Sequence, residues 1–172
     1  MLRPLVLLIG TMVLVWSVPA AAQVLKVGDR LVELDTAVDA AGKPFKLKKL
    51  KGKWVVVTVG AEWCKPCAKE LPVWDKLAGE YGRKVVFVAV DVDDEIASGK
   101  RFHKKLNLKH MTLVYLPVEG SAVVDRYGAA TMPSSFLADP NGIVRYVRAG
   151  FEAKDPSGEY KKFKAQLDKL VK

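Results

Sequence analysis

Apolar residues along this chain fall into two kinds of run. Trp54 to Val59 is an unbroken β-rich stretch closed by Gly60, and Val85 to Val90 repeats the pattern ahead of Asp91, Asp93 and Asp94. Continuous runs of that length, rich in β-branched residues, predict strands covered on both faces. Between them Leu71, Val73, Trp74, Leu77 and Ala78 recur at helical spacing, which predicts a helix from about Lys65 to Tyr81 ended by Gly82. Pro66 suits the first turn of that helix, whereas Pro72 removes a donor from its interior and is expected to kink it. A second helix is predicted from about Glu95 to Leu106, then a strand around Met111 to Tyr115 and a short helix through Val123, Val124 and Tyr127. A strand pair turns at Pro140-Asn141-Gly142, and Tyr160, Phe163, Leu167 and Leu170 mark one face of a last helix with lysines opposite. Ahead of the first core strand, Leu31, Leu34 and Val38, the turn Ala41-Gly42-Lys43, and then Phe45 and Leu47 predict a β-hairpin. Alternating strands and helices predict a layered α/β fold. No internal repeat or linker interrupts residues 23–172, which read as one domain.

The first 22 residues read differently. Arg3 gives a positive start, Leu5 to Val18 is apolar, and Ala20-Ala21-Ala22 offers a small-residue cleavage site before Gln23, the order of an export signal. The apolar run falls short of the roughly 20 residues of a membrane span. An uncleaved anchor is the alternative, because Leu2 and the alanines extend the run. The protein is therefore expected to be exported, to a periplasm or its equivalent.

Composition narrows the class only a little. Half of the 172 residues are apolar and 27% are charged, an ordinary globular balance. The formal net charge of +9 is mostly lysine, concentrated from Lys43 to Lys53 and from Lys100 to Lys109. Such runs read as solvated faces. Nucleic acid is not an expected partner, since no aromatic residues interleave with a basic stripe.

The chemistry lies at Ala61-Glu62-Trp63-Cys64-Lys65-Pro66-Cys67, which holds the only two cysteines, spaced C-x-x-C at a strand-to-helix junction. A helix N-terminus offers unpaired N–H groups and a partial positive charge that stabilise a thiolate, the attacking species in thiol–disulfide exchange. Cys64, preceding the helix, is expected to be the exposed nucleophile, and Cys67, one turn in, the resolving thiol. A structural disulfide is the plainer alternative, but a loop this small removes little unfolded-state entropy. The cysteine pair carries the redox equivalents, so no cofactor is required.

Trp63-Cys64-Lys65-Pro66-Cys67 resembles the thioredoxin-superfamily active site, and Ala68-Lys69-Glu70-Leu71-Pro72 is similar to its exported TlpA/ResA-like branch. Val27-Gly28-Asp29, Leu50-Lys51-Gly52-Lys53, Thr131-Met132-Pro133-Ser134-Ser135-Phe136-Leu137 and Asn141-Gly142-Ile143-Val144 extend the likeness over nearly all of residues 23–172. The resemblance implies a thioredoxin-like fold, a central mixed sheet flanked by helices with an N-terminal hairpin extension. It implies a cis Pro133 beside the cysteines, with Trp63, Met132 and Pro133 on the substrate side and Met132 pairing its backbone with a bound peptide. It implies protein thiols and disulfides as substrates and reductase duty, with a membrane thiol reductase and cytochrome c precursors as partners. Thr58 stands six residues before Cys64, where thioredoxins carry a buried Asp and this branch often carries Asn. Glu70 therefore becomes the candidate proton relay to Cys67, its alternative being a solvated residue on the helix. Gly60-Ala61-Glu62 replaces the aromatic stretch usual before the motif.

Other classes fit less well. A peroxidase of the related peroxiredoxin group needs a single peroxidatic cysteine with Thr and Pro upstream, an arrangement absent from this sequence. A metal-binding or copper-delivery protein would draw on Cys64, Cys67, His103 and His110, but the histidine spacing is wider than zinc sites use, and both histidines read as surface residues. A binding module with the fold alone would not need both cysteines, Pro66 and Pro133. Trp74 reads as core packing. Lys65 and Pro66 are the candidate tuning residues, Lys65 because its ammonium adds to the helix dipole in favour of the Cys64 thiolate. Alkylation of Cys64 in the reduced protein, followed against pH, should reach half its maximal rate well below the ordinary thiol value of about 8.5; an unshifted profile would remove Lys65 and the helix terminus as tuning groups.

Overall fold

The computed structural model describes residues 23–117 and 122–171, so the predicted export signal at residues 1–22 lies outside the described residues. Six strands form one sheet in the order β1-β4-β3-β2-β5-β6. They are β1 (Val38–Asp39), β2 (Trp54–Gly60), β3 (Val85–Asp91), β4 (Thr112–Tyr115), β5 (Ser134–Ala138) and β6 (Val144–Ala149). Among the described residues there are four α-helices, α1 (Lys65–Tyr81), α2 (Ile96–Leu106), α3 (Ala122–Arg126) and α4 (Pro156–Leu170). β2, β3 and β4 run parallel, while β5 pairs antiparallel with β2 and β6, and β1 antiparallel with β4. This is the mixed sheet of a thioredoxin-like α/β fold.

The two continuous apolar runs lie at the sheet centre, where alternate side chains enter different layers. Val55, Val57 and Val59 join Val88 and Val90 in one layer, beneath the N-terminal segment with Leu25, Leu34 and Tyr127. Val56, Phe87 and Ala89 join the other, beneath α1, α2 and α4, with Trp74, Leu77, Phe102, Phe163 and Leu167. Both cysteines belong to this second layer.

The predicted hairpin exists only in miniature. The Asp39 N–H donates to the Lys43 carbonyl at 2.8 Å and the Phe45 N–H to the Ala37 carbonyl at 2.9 Å, around a turn at Gly42 with φ of 78°. Val38 faces Pro44 in a lone bridge, and Leu47–Leu50 is a 3-10 turn rather than strand. Proline at 44 cannot donate to a ladder, which keeps the pairing short. α1 runs through Pro72 as one continuous helix and stops at Gly82, whose φ of 53° ends it, with its N–H on the Ala78 carbonyl.

Phe163 of α4 lies with its ring 4.4 Å from that of Trp74 and 5.9 Å from that of Tyr146, fixing α4 over the second layer. Phe163→Ala should lose about 3–5 kcal/mol in urea unfolding at neutral pH; a loss under about 1 kcal/mol would show that α4 does not depend on this contact.

Candidate active site

β2 ends at Gly60, and the chain turns through Ala61, Glu62 and Trp63 into α1. Three bonds fix the turn. The Val92 N–H donates to the Gly60 carbonyl at 3.0 Å, the Glu62 N–H to Asp93 Oδ2 at 2.9 Å, and the Cys64 N–H to the Ala61 carbonyl at 3.0 Å. Cys64 is the N-cap of α1, and its Sγ accepts the Cys67 N–H at 3.3 Å. That is one of the orphan donors of a helix start, so the sulfur already occupies the position where negative charge is favoured. Cys64 and Cys67 are joined as a disulfide.

The sulfurs differ in access. Cys67 is wholly enclosed and Cys64 is 5% exposed. The expectation of an exposed nucleophile is corrected to this extent: Cys64 is the more accessible of the two, but the bond to Cys67 and the packing of the second layer cover most of it. Trp63 beside it is 69% exposed and Lys65 is exposed, while Pro66, in the first turn of α1, is half-buried.

Met132 packs against the layer that holds both cysteines, and the Met132–Pro133 peptide is cis, with Pro133 buried. Met132 follows the 3-10 turn Ala129–Thr131, and the Pro133 carbonyl accepts from Gly150 at 2.7 Å.

Glu70, one turn beyond Cys67, is 1% exposed, so the alternative of a solvated helix residue is set aside. The Thr58 hydroxyl donates to Glu70 Oε2 at 2.7 Å. Ser135 Oγ lies 3.2 Å from Glu70 Oε1 and 2.9 Å from Thr58 Oγ1, and its single proton serves one of them. Trp74 Nε1 donates to Ser135 Oγ at 3.1 Å, which adds a polar contact to the expected core packing. Burial pushes the Glu70 carboxyl up to about 7, against the hydrogen bonds of Thr58, Ser135 and Trp74 and the charge of Arg148. Arg148 is itself held by the buried Glu159. A carboxyl poised near neutrality one helical turn from a cysteine suits proton transfer at physiological pH.

The pattern alone did not assign Ser135, the Trp74 indole N–H or Arg148 to the site. Thr58 did carry a signal, being a hydroxyl in an otherwise apolar buried strand.

The metal-ligand alternative finds no geometry. Among the described residues no group of three or more His, Cys, Asp or Glu side chains is placed to hold a metal ion. His110 is exposed, but His103 is 2% exposed, with its ring 5.4 Å from that of Tyr115. The surface placement expected of His103 is therefore corrected, because the lysine-rich helix turns this one polar position inward beside Phe102. Burial lowers its basicity to about 4 and keeps it neutral.

Comparison with known proteins agrees with this geometry. A family model described as the AhpC/TSA family matches residues 27–147. The chain is 35% identical over 125 residues to the thiol-disulfide oxidoreductase ResA of Bacillus thuringiensis subsp. konkukian, covering 72% of this chain and 70% of that protein. A crystal structure of a putative thiol:disulfide interchange protein DsbE from Chlorobium tepidum superposes with a TM-score of 0.69 at 28% identity, covering 83% of this chain and 99% of that one. The exposed lipoprotein thioredoxin of Streptococcus pneumoniae gives 0.59 at 26% identity, over 76% and 98%.

The raised Glu70 value has a stability consequence. Between about 4.5 and about 7 the native state holds a proton that the unfolded chain releases, so this group makes stability fall as pH rises through that window. Glu70→Gln should match the wild type below the window and exceed it above by up to about 3 kcal/mol, the upper bound set by the shift. Urea unfolding of both proteins across the window tests this, and a constant difference would show that Glu70 is not the titrating group.

Proposed function

The chain belongs to the AhpC/TSA family as a ResA-like thiol–disulfide oxidoreductase, and we propose that it works as an exported reductase of protein disulfides with Cys64 as nucleophile. The observation that supports this reading best is the cysteine pair at the start of α1, with one sulfur capping the helix and the other enclosed one turn from the buried Glu70.

Cys64 thiolate attacks one sulfur of a substrate disulfide, forming a mixed disulfide and releasing the other sulfur as a thiolate that takes up a proton. Cys67 then gives its proton to the Glu70 carboxylate, and its sulfur attacks Cys64 Sγ. The Cys64–Cys67 disulfide forms, the second substrate sulfur leaves as a thiolate, and the Glu70 proton is free to follow it. Two electrons have passed from the cysteine pair to the substrate, and a partner dithiol restores the pair. The half-charged state of Glu70 near pH 7 lets it both accept and return the proton.

Trp63 supplies an exposed apolar surface beside the nucleophile. The extended backbone of Met132 before the cis bond to Pro133 suits a peptide lying across Pro133. Lys65, exposed at the head of the helix, and Pro66 in its first turn tune the Cys64 thiolate. Export is supported by the sequence of residues 1–22, and no helix among the described residues is long and apolar enough to cross a membrane. A membrane thiol reductase as electron source and cytochrome c precursors as substrates are the finer form of this proposal.

In Cys67→Ser the mixed disulfide cannot be resolved, so this variant should accumulate a covalent adduct through Cys64 with its protein substrate, visible as a mass shift that a thiol reductant reverses. Cys64→Ser should lose disulfide reduction altogether. Activity retained by Cys64→Ser would overturn the assignment of the nucleophile. A reduction potential near the about −120 mV of DsbA, instead of the about −270 mV of thioredoxin, would reverse the proposed direction of electron flow.

A further inference from the structure

Another buried carboxyl, which the exchange steps do not use, lies one strand over from the position that touches Cys67. Asp91 ends β3 and is the register partner of Gly60 in parallel β2, so the two positions project into the same layer. At Gly60 an added Cβ would stand 3.1 Å from Cys67 Cβ and 3.2 Å from Cys67 Sγ. Neighbouring strands are about 4.8 Å apart, which puts the Asp91 Cβ about 5 Å from the point where a Gly60 side chain would touch that sulfur. Gly60 presents no side chain between them.

α2 makes room from above. At Gly99 a Cβ would fall 1.9 Å from Asp91 Oδ1, so a residue that costs a helix interior about 1 kcal/mol is what admits the carboxyl. Asp91 is 1% exposed. Its Oδ1 accepts the Asp93 N–H at 3.2 Å, while Oδ2 has no hydrogen-bond partner among the described residues.

We propose that Asp91 is a positioning acid for the resolving thiol, its charge acting across Gly60 on the ionisation of Cys67. The inference rests on the reading of Cys67 as the resolving thiol. Ionised Asp91 opposes a thiolate at Cys67, and protonated Asp91 allows one, so the two negative charges exclude each other.

Among the described residues no cation forms an ion pair with Asp91. From the following turn and the loop before Cys64 come Asp93 and Glu62, both acidic, with Glu62 held by Arg101 at 3.7 Å. From β4 comes Tyr115, pushed up by burial and by Asp91. From α2 come the neutral His103 and Lys100, whose ammonium stands 5.8 Å from the Tyr115 ring. Burial, and after it the charge of Asp93, raises the Asp91 carboxyl well above its ordinary range. Glu70 takes the Cys67 proton from one flank; Asp91 sets from the other how readily the proton leaves.

The test uses Cys64→Ser, in which Cys67 is the only thiol. Ultraviolet thiolate absorbance followed against pH reads its ionisation directly. Adding Asp91→Asn should increase the Cys67 acid dissociation constant about tenfold, a change that a purely structural role would not produce. Superimposable titrations would overturn the proposal. Should the double variant fail to fold, the wild type decides. By reciprocity the Asp91 carboxyl, followed by carbon-13 NMR, should show in the reduced protein an inflection at the pH where Cys67 ionises, which the oxidised protein lacks. Identical titration in the two redox states would overturn the proposal. Both readouts are free of substrate, so they judge Asp91 whatever a disulfide-reduction assay says of the proposed activity.

Discussion

The organisation of the active-site layer depends on one buried acid, Glu70, that has no salt-bridge partner among the described residues. Moving a carboxyl from water into an apolar layer costs several kcal/mol unless hydrogen bonds replace its solvation. For Glu70 these come from a cross-strand pair of hydroxyls, Thr58 on β2 and Ser135 on β5, which face each other in the antiparallel register. Trp74 then donates to Ser135 from α1 itself. The network ties the helix that carries the cysteines to two strands of the sheet. It also keeps the carboxyl acidic enough to ionise near neutrality rather than remain a neutral acid throughout.

Most of the fold was legible because its apolar pattern is long and consistent. α1 begins and ends at the predicted residues, and β3 extends the predicted strand by one residue, to Asp91. Short segments stabilised by tertiary contacts were less readable. Between Leu31 and Leu50, Pro44 limits the ladder and the Glu33 carboxylate takes the N–H groups of Leu47 and Lys48, so a local turn replaces the expected strand. Pro72 does not interrupt α1, whose buried face, with Leu71, Trp74 and Leu77, is held by the layer beneath. Tertiary packing outweighs the lost donor there.

The site was readable in its sulfur chemistry and less so in its proton chemistry. A C-x-x-C pair between a strand and a helix announces itself by spacing. Whether Glu70 faces water or the core depends on rotation about the helix axis, which Pro72 and the polar neighbour Lys69 leave ambiguous in the sequence. His103 shows the same limit, since lysines on either side of it mask an inward position. Asp91 was legible only as the end of a strand. Its proximity to Cys67 follows from the register of β2 against β3, which no local pattern encodes.

Gly60 explains how so much chemistry converges on one sulfur. Its φ is not in the left-handed region, so its glycine is not needed for a turn; the constraint is steric, because a side chain would collide with Cys67. Removing the side chain lets the first turn of α1 settle directly on the end of the sheet, which brings the Cys67 sulfur level with the strand ends. The neighbouring positions of β2, β3 and β5 lie in the same layer: Thr58 and Ser135 bonded to Glu70, and Asp91 beside Gly60 in register. The Val92 and Asp93 bonds to the turn at Gly60 and Glu62 hold that close approach in register. A larger residue at 60 would separate helix from sheet, and the acids on either flank would lose the thiol together.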